Sequence, residues 1–305
     1  MSGQVRAGRV RSLPIGATRA RTHRAPWAGR AIWYVLMTVL AVLFMVPAIW
    51  AISTSLKSPA EIVTYPPTLV PSPPQFGNYV RIWKEVPFAR FVWNSTLLTS
   101  LGIIGQTLSA STVAYGFARF RFPGRNILFL LLLSTLVLPQ EVTMIPTFLM
   151  FNRIGWVDSL KPLIVPNFFG GGPGGAFLIF LLRQFFLTLP RELDEAATLD
   201  GASSWTIYWR IILPLSRPAL ATVAILSFIS HWNEFIGPLI YLSTPTKFPL
   251  ALGLRYFQTI PLEGGAPKQH LLMAAAVVMA APGIALFFFA QRLFIRGIVS
   301  TGLKG

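Results

Sequence analysis

The 305-residue sequence contains no cysteine. Disulfide bonds, thiol catalysis and thiolate metal ligation are therefore excluded, and cysteine usage leaves the compartment unspecified. Charge is scarce as well: Asp, Glu, Lys and Arg together make up 12% of the chain, with 10 acidic residues against 26 basic ones. Histidine occurs only at positions 23, 231 and 270, without ligand spacing, so no metal site is expected. No Walker A sequence is present. The glycine run Gly170-Gly171-Gly172-Pro173-Gly174-Gly175 lacks the Lys-Ser/Thr that a phosphate loop requires. No nucleophile–base pair emerges, so no catalytic residue is assigned and an enzyme is not expected.

Apolar residues fill the space the charges leave. The chain is 53% hydrophobic with a mean hydropathy of +0.60, which describes a polytopic membrane protein rather than a soluble enzyme. Apolar spans fall at about 31–53, 93–117, 126–149, 162–187, 218–242 and 272–290. Each is near the ~20 residues a spanning helix needs. The expected fold is an all-α membrane protein with six transmembrane helices. Residues 1–30 form an Arg-rich tail, 31–290 the transmembrane domain and 291–305 a second tail.

Six crossings put both termini on one side. Residues 1–30, 118–125, 183–217 and 291–305 carry seven, three, four and three Lys or Arg, 17 of the 26. The positive-inside rule assigns these segments to the cytoplasm, in a multi-pass protein of a bacterial or archaeal plasma membrane. The net charge of +16 is thus a topology signal, with contact to membrane lipid as the bland role of residues 1–30. Nucleic acid is not expected as a partner.

The most informative stretch is polar. Residues 188–217 read as a helix–turn–helix hairpin, with Pro190 suited to a first turn and Glu192, Asp194 and Glu195 placed where the helix dipole favours acids. Leu193, Ala196 and Ala197 share a face of small profile, Asp200 leads into Gly201 as a left-handed cap, and Ser203 or Ser204 caps a second helix. Trp205, Tyr208, Trp209 and Ile212 form the bulky face of that helix, which Pro214 is expected to stop. Two roles fit: docking on another protein, or lying in the headgroup layer.

Glu195-Ala196-Ala197, three residues, Gly201, nine residues, then Ile211-Ile212-Leu213-Pro214 resembles the EAA loop of binding-protein-dependent ABC importer permeases. The resemblance extends over most of the chain. Phe76-Gly77-Asn78-Tyr79 through Trp83, and Phe91-Val92-Trp93-Asn94-Ser95, are similar to the approach to the second span in sugar-importer permeases. Trp232-Asn233-Glu234-Phe235 is similar to a segment of carbohydrate importers, and Gly302-Leu303-Lys304-Gly305 to the tail of the maltose-type second permease.

The resemblance implies a type I ABC importer permease fold and a sugar importer working by alternating access. It implies a second permease, two ATPase subunits holding ATP and Mg, and an extracytoplasmic solute-binding protein. It makes Glu192, Glu195, Ala196, Ala197, Asp200, Gly201, Trp205, Leu213 and Pro214 the ATPase-coupling residues, with Gly302, Lys304 and Gly305 as a second contact unless that terminus frays. Importers of peptides or glycerol phosphate share the superfamily, and an ion-coupled secondary transporter is the more distant alternative.

Candidate path residues lie inside the spans. Ser227, Ser230, His231 and Glu234 recur at i, i+3, i+4 and i+7 as one polar stripe, with His231 and Glu234 in hydrogen-bonding range and Asn233 beside them. Lipid rejects such a stripe, so it fits either a translocation path or an inter-subunit hydrogen-bond cluster. Glu141 fits a gate or a structural hydrogen bond, because a charge at the bilayer centre costs roughly 2.5–3.5 kcal/mol. The glycine run should break the fourth span, which at membrane depth requires protein or a watery cavity beside it.

Overall fold

A computed structural model describes residues 27–258 and 268–301. Gly302, Lys304 and Gly305, Pro261 and the arginines before Trp27 lie outside the described residues. Among the described residues the chain is helical, with turns and loops and no strand. The described residues up to Ala48 form one unit and those from Ile49 onward another.

The first helix, α1 (Trp27–Ser55), is apolar around its whole circumference, and side chains from Ile32 to Val46 are exposed on every face. A helix of that kind is covered by lipid or by another chain. From Ile49 onward the chain is organised around α4 (Phe88–Arg119), reached through the short helices α2 (Pro59–Ile62) and α3 (Asn78–Glu85). Gly102, Gly105, Ser109, Ala110, Ala114 and Ala118 are buried along α4, and these small residues let neighbouring backbones approach closely. The neighbours are α8 (Gly175–Thr188) and α12 (Arg217–Trp232).

The expected third, fourth and fifth spans are not single helices. The third is α5 (Arg125–Ser134) followed by α6 (Gln140–Arg153), broken before Pro139, which holds an extended backbone and cannot continue the helix behind it. The fourth is α7 (Lys161–Ile164), a 3₁₀ turn at Val165–Phe169, the glycine run and then α8. The hairpin follows as α9 (Glu192–Leu199), α10 (Ser204–Ile207), a π turn at Tyr208–Ile212 and α11 (Leu213–Leu215).

The chain then bends by 79° into α12. It pauses at residues 233–235 before α13 (Ile236–Tyr241), and α14 (Leu250–Tyr256) and α15 (Gln269–Thr301) complete the order. Three described helices are long and apolar enough to cross a membrane, and the bent pair makes a fourth candidate. Pro139 and the glycine run interrupt the expected third and fourth spans, and Asn233 ends the helix within the fifth.

Two cores hold the second unit. One joins Ala110, Ala114 and Ala118 of α4 to Leu182 and Phe186 of α8, to Ile207, Tyr208 and Ile212 of the hairpin and to Val223 of α12. The other joins Phe88 and Phe91 to Trp232, Leu250 and Leu271. In this second core the ring of Phe91 occupies the space a side chain at Gly253 would need, 2.4 Å from the missing Cβ.

Candidate functional site

The hairpin is specified by local chemistry. Arg191 is the N-cap of α9, so Pro190 precedes the helix instead of opening it. The three acids stand in the first turn as expected. At the far end Gly201 has φ +80°, its N–H donates to Thr198 O at 3.0 Å, and Ala202 N–H donates to Ala197 O at 2.9 Å. That pair of bonds is the Schellman closure, which only a residue at ease in the left-handed region makes without strain. Ser203 Oγ then accepts from Thr206 N–H at 3.2 Å and caps α10.

Pro214 does not stop the second helix. Its ring lacks an N–H and crowds the carbonyl one turn back, and the chain adapts by widening to a π turn in which Leu213 N–H donates to Tyr208 O. The helical run therefore continues to Leu215.

The bulky face divides in two. Tyr208 and Ile212 are fully buried in the first core, and Leu213 is half-buried against it. Trp205 is 59% exposed, Leu199 89%, and Ala196 and Trp209 are also exposed. The outer face is thus apolar at its tip and rimmed by the exposed carboxylates of Glu192, Glu195 and Asp200. Trp205 stacks on Tyr208 with ring centroids 5.4 Å apart, and Tyr208 lies 5.1 Å from Tyr115 of α4. Asp194 turns inward to Arg119 Nε at 3.2 Å, and its carboxyl is pushed up by burial, against the pull of Arg119.

The second region is a cavity of about 690 Å³ inside the second unit. Its lining includes Thr143 and Thr147 of α6, Asn167, Gly170–Gly175, His231 and Glu234. The floor is the glycine run, with Gly170, Gly172 and Gly174 at positive φ. A Cβ on Gly172 would lie 1.8 Å from Asn167 Oδ1, so this loop closes only with glycine there. Gln106 of α4 ties the floor down: its Nε2 donates to Pro173 O at 2.8 Å while its Oε1 accepts from Ser227 Oγ at 2.9 Å. Ser109 Oγ donates to Asn167 O at 2.7 Å. His231 packs against Gly102, where a Cβ would sit 2.5 Å from the imidazole ring, and its buried Nε2 has no hydrogen-bond partner among the described residues.

Beside the lining residue Tyr241, whose carbonyl accepts from Asp158 N–H at 2.7 Å, Asp158 ties two loops together: its carboxylate accepts from Ser243 N–H and Thr244 N–H at 3.0 Å each, from Thr244 Oγ1 at 2.6 Å and from Lys247 Nζ at 2.8 Å. Lys247 and Thr244 hold that carboxyl well below the usual carboxylate range.

Residues 106–300 match the family described as binding-protein-dependent transport system inner membrane component. The chain belongs to this family. Over 275 residues the permease is 32% identical to the sn-glycerol-3-phosphate transport system permease protein UgpE of Yersinia enterocolitica, covering 88% of this chain and 95% of that one. It is also 32% identical, again over 275 residues, to the diacetylchitobiose uptake system permease protein NgcG of Streptomyces coelicolor, covering 89% and 88%. Among solved structures it resembles a chain of a bacterial ABC transporter involved in the import of the acidic polysaccharide alginate. The TM-score is 0.78 at 25% identity, over 88% of this chain and 97% of that one. The permease is accordingly an inner-membrane, multi-pass subunit of a binding-protein-dependent ABC importer.

The expected coupling residues stand together on the hairpin. The expected path residues do not all meet. His231 and Glu234 line the cavity, whereas Ser227 is committed to Gln106. Ser230 is not among the lining residues, and Asn233 is exposed and donates back to Ile229 O at 2.9 Å. Glu141 is exposed in the first turn of α6 and is not itself a lining residue, although Leu138, Thr143 and Met144 beside it are. The stripe fails at its last member because α12 ends at Trp232. Glu234 then caps α13 by accepting Gly237 N–H at 2.8 Å, rather than bonding His231.

Gln106, Asn167 and Ser109 were not anticipated. Gln106 and Ser109 sit one turn apart on an apolar helix, which is the signal that points to them.

Proposed function

We propose that this permease carries a neutral mono- or oligosaccharide inward, driven by ATP hydrolysis on two separate ATPase subunits that engage residues 188–217. The observation that carries the reading is the hairpin's outer face. Leu199 and Trp205 are bare at its tip, acids rim it, and its inner face is fastened to the rest of the chain. A patch of that kind calls for a protein partner with an apolar cleft and a basic edge. The basic excess along residues 1–30, 118–125, 183–217 and 291–305 supports a cytoplasmic position for this face, on the side where ATP is. Gly302, Lys304 and Gly305 supply a second contact to the ATPase pair. A second permease completes the path, an external binding protein delivers the sugar, and the broken third to fifth spans make up six crossings with α1, α4 and α15.

Uncharged sugar is favoured over glycerol phosphate by the cavity wall. Among the described residues its lining includes Glu234 and neither Lys nor Arg. A phosphate or uronate there would face the like charge of Glu234 with no basic side chain beside it. The alternative cargo class keeps its own support, because the UgpE relative is a glycerol-3-phosphate permease at the same identity as the sugar permease NgcG.

The test is uptake by proteoliposomes holding the whole complex and its binding protein, with labelled neutral disaccharides and sn-glycerol 3-phosphate as competing cargoes. Import of a neutral sugar that stops when ATP is withheld is the expected result. Preference for the phosphate ester would move the assignment to the second class. Gradient-driven uptake without ATP would reject the ABC mechanism. Glu195→Lys, which reverses the acidic rim, should lower ATP-driven uptake at least tenfold without lowering the amount of permease in the membrane.

A further inference from the structure

Three residues of α4 form a stripe that reads the hairpin. Ser111, Tyr115 and Arg119 are spaced i, i+4 and i+8, so they lie on one face over about 12 Å of helix. Ser111 Oγ is 2.7 Å from Tyr208 Oη, with Thr112 Oγ1 next to it at 3.2 Å. Tyr115 Oη donates to Ser204 O at 3.1 Å. Arg119, whose side chain is only 5% exposed, donates through one terminal nitrogen to Leu189 O at 3.2 Å and places Nε 3.2 Å from Asp194 Oδ2. The hairpin is thereby held at its first helix, at the start of its second and at the buried tyrosine beneath Trp205.

The same helix reaches the cavity. Gly102 is the seat of His231, Gly105 is closed over by Phe168 and Asn167, and Gln106 holds both Pro173 of the floor and Ser227 of α12. Arg119 and Gly102 are seventeen residues apart, roughly 25 Å of continuous α-helix. A helix shifts as a piece, and a close-packed contact such as Gly102 against His231 does not yield gradually.

We propose that α4 is a connecting rod: the Arg119–Asp194 pair, with Tyr115 and Tyr208, fixes the hairpin to α4 so that movement of the hairpin displaces the cavity wall. Arg119 and Asp194 are positioning residues, acting through α4 and touching neither nucleotide nor cargo. The pair is nearly buried, and a buried pair is weak evidence for net stability because desolvation offsets its attraction. Its cost is better explained by a need for a fixed joint. This proposal rests on the reading that residues 188–217 engage an ATPase.

The test needs no knowledge of the cargo. Because the chain has no cysteine, Thr147→Cys places a single thiol on the cavity lining. In the whole complex its labelling by a maleimide is followed on this chain with and without Mg-ATP plus vanadate, beside the rate of ATP hydrolysis. With Arg119 and Asp194 intact, nucleotide should change the labelling rate severalfold. Arg119→Met and Asp194→Ala should abolish that change while hydrolysis stays within about twofold. The double variant should be no worse than either single one, as expected for one joint. Asp194→Asn keeps an acceptor for Arg119 and should retain most of the response.

An undiminished response in Arg119→Met or Asp194→Ala would overturn the proposal. If those variants do not assemble, Tyr208→Phe, which removes one hydroxyl, should reduce the response about twofold, and no reduction overturns it equally. Absence of an ATPase from the parent complex would instead defeat the functional reading beneath it.

Discussion

The hairpin and the cavity are both built on backbone that only glycine takes easily, yet they are built differently. Gly201 and Gly172 have the same φ, +80°. Around Gly201 no described residue beyond its chain neighbours comes within 4 Å of where a Cβ would stand, whereas at Gly172 the side-chain oxygen Oδ1 of Asn167 already fills that place. The hairpin's turn is set by conformation alone, as suits a segment whose outer face is kept free. The cavity floor is set by conformation and packing together, through Gln106, Ser109 and Asn167 on elements far apart in sequence. One region is closed by neighbours in the chain, the other by neighbours in space.

The largest effect that sharpens this contrast is Gly172→Ala. A left-handed alanine and a displaced Asn167 together should cost roughly 2–5 kcal/mol. It should appear as a lower thermal midpoint of the purified complex and loss of uptake. Gly102→Ala comes next, at roughly 1–3 kcal/mol, because the added methyl must displace the His231 ring. Here a second substitution decides the cause: Gly102→Ala with His231→Ala should recover most of the thermal midpoint, since the methyl then has room. Gly201→Ala should cost only about 1–2 kcal/mol, conformation being its sole penalty. Equal losses at Gly172 and Gly201 would erase the distinction between the two regions.

The same distinction explains what the sequence discloses. The hairpin's cap, acidic first turn and glycine stop are interactions within about five residues, so spacing alone locates Glu192, Glu195 and Gly201 and narrows the second cap to Ser203 or Ser204, of which the structure uses Ser203. Asp194 reads as one more first-turn acid because Arg119, its partner, is distant in the chain and looks like a topology charge. Tyr208 reads as part of an exposed aromatic face, since periodicity shows which residues share a side but not where that side divides between core and solvent.

In the cavity the helical stripe of Ser227, Ser230, His231 and Glu234 presumes one unbroken helix. Asn233 ends that helix and Glu234 leaves the stripe to cap α13. Glu141 lies in an apolar run that reads as one span, but the chain breaks before Pro139, so Glu141 stands exposed in the first turn of α6 instead of in the middle of a continuous helix. Six apolar runs are visible from composition, while the interruptions inside three of them depend on where proline and glycine meet tertiary contacts.

The smallest effect separates the two regions by their acids. Asp158, in the loop beside the cavity residue Tyr241, has its carboxyl lowered by Lys247 and Thr244; Asp194, on the inner side of the hairpin's first helix, has its carboxyl raised by burial, which outweighs Arg119 and Arg191. The signs follow from which state takes up the proton first. For Asp158 the unfolded chain does, so the contribution of its bonds is complete above the ordinary carboxylate value near about 3.9 and is lost only as pH falls toward the lowered one. For Asp194 the folded chain protonates first, so acidification through its raised value relieves a buried charge and favours the folded state. Thermal midpoints compared with Asp158→Asn and Asp194→Asn from neutral pH into mild acid should therefore diverge. The advantage of the parent over Asp158→Asn should stay constant until pH nears the ordinary carboxylate value. The parent should gain on Asp194→Asn before that point is reached. A gap that shrinks early for Asp158, or a parent that loses ground to Asp194→Asn on acidification, would place the two carboxylates in the same kind of environment and remove this contrast between hairpin and cavity.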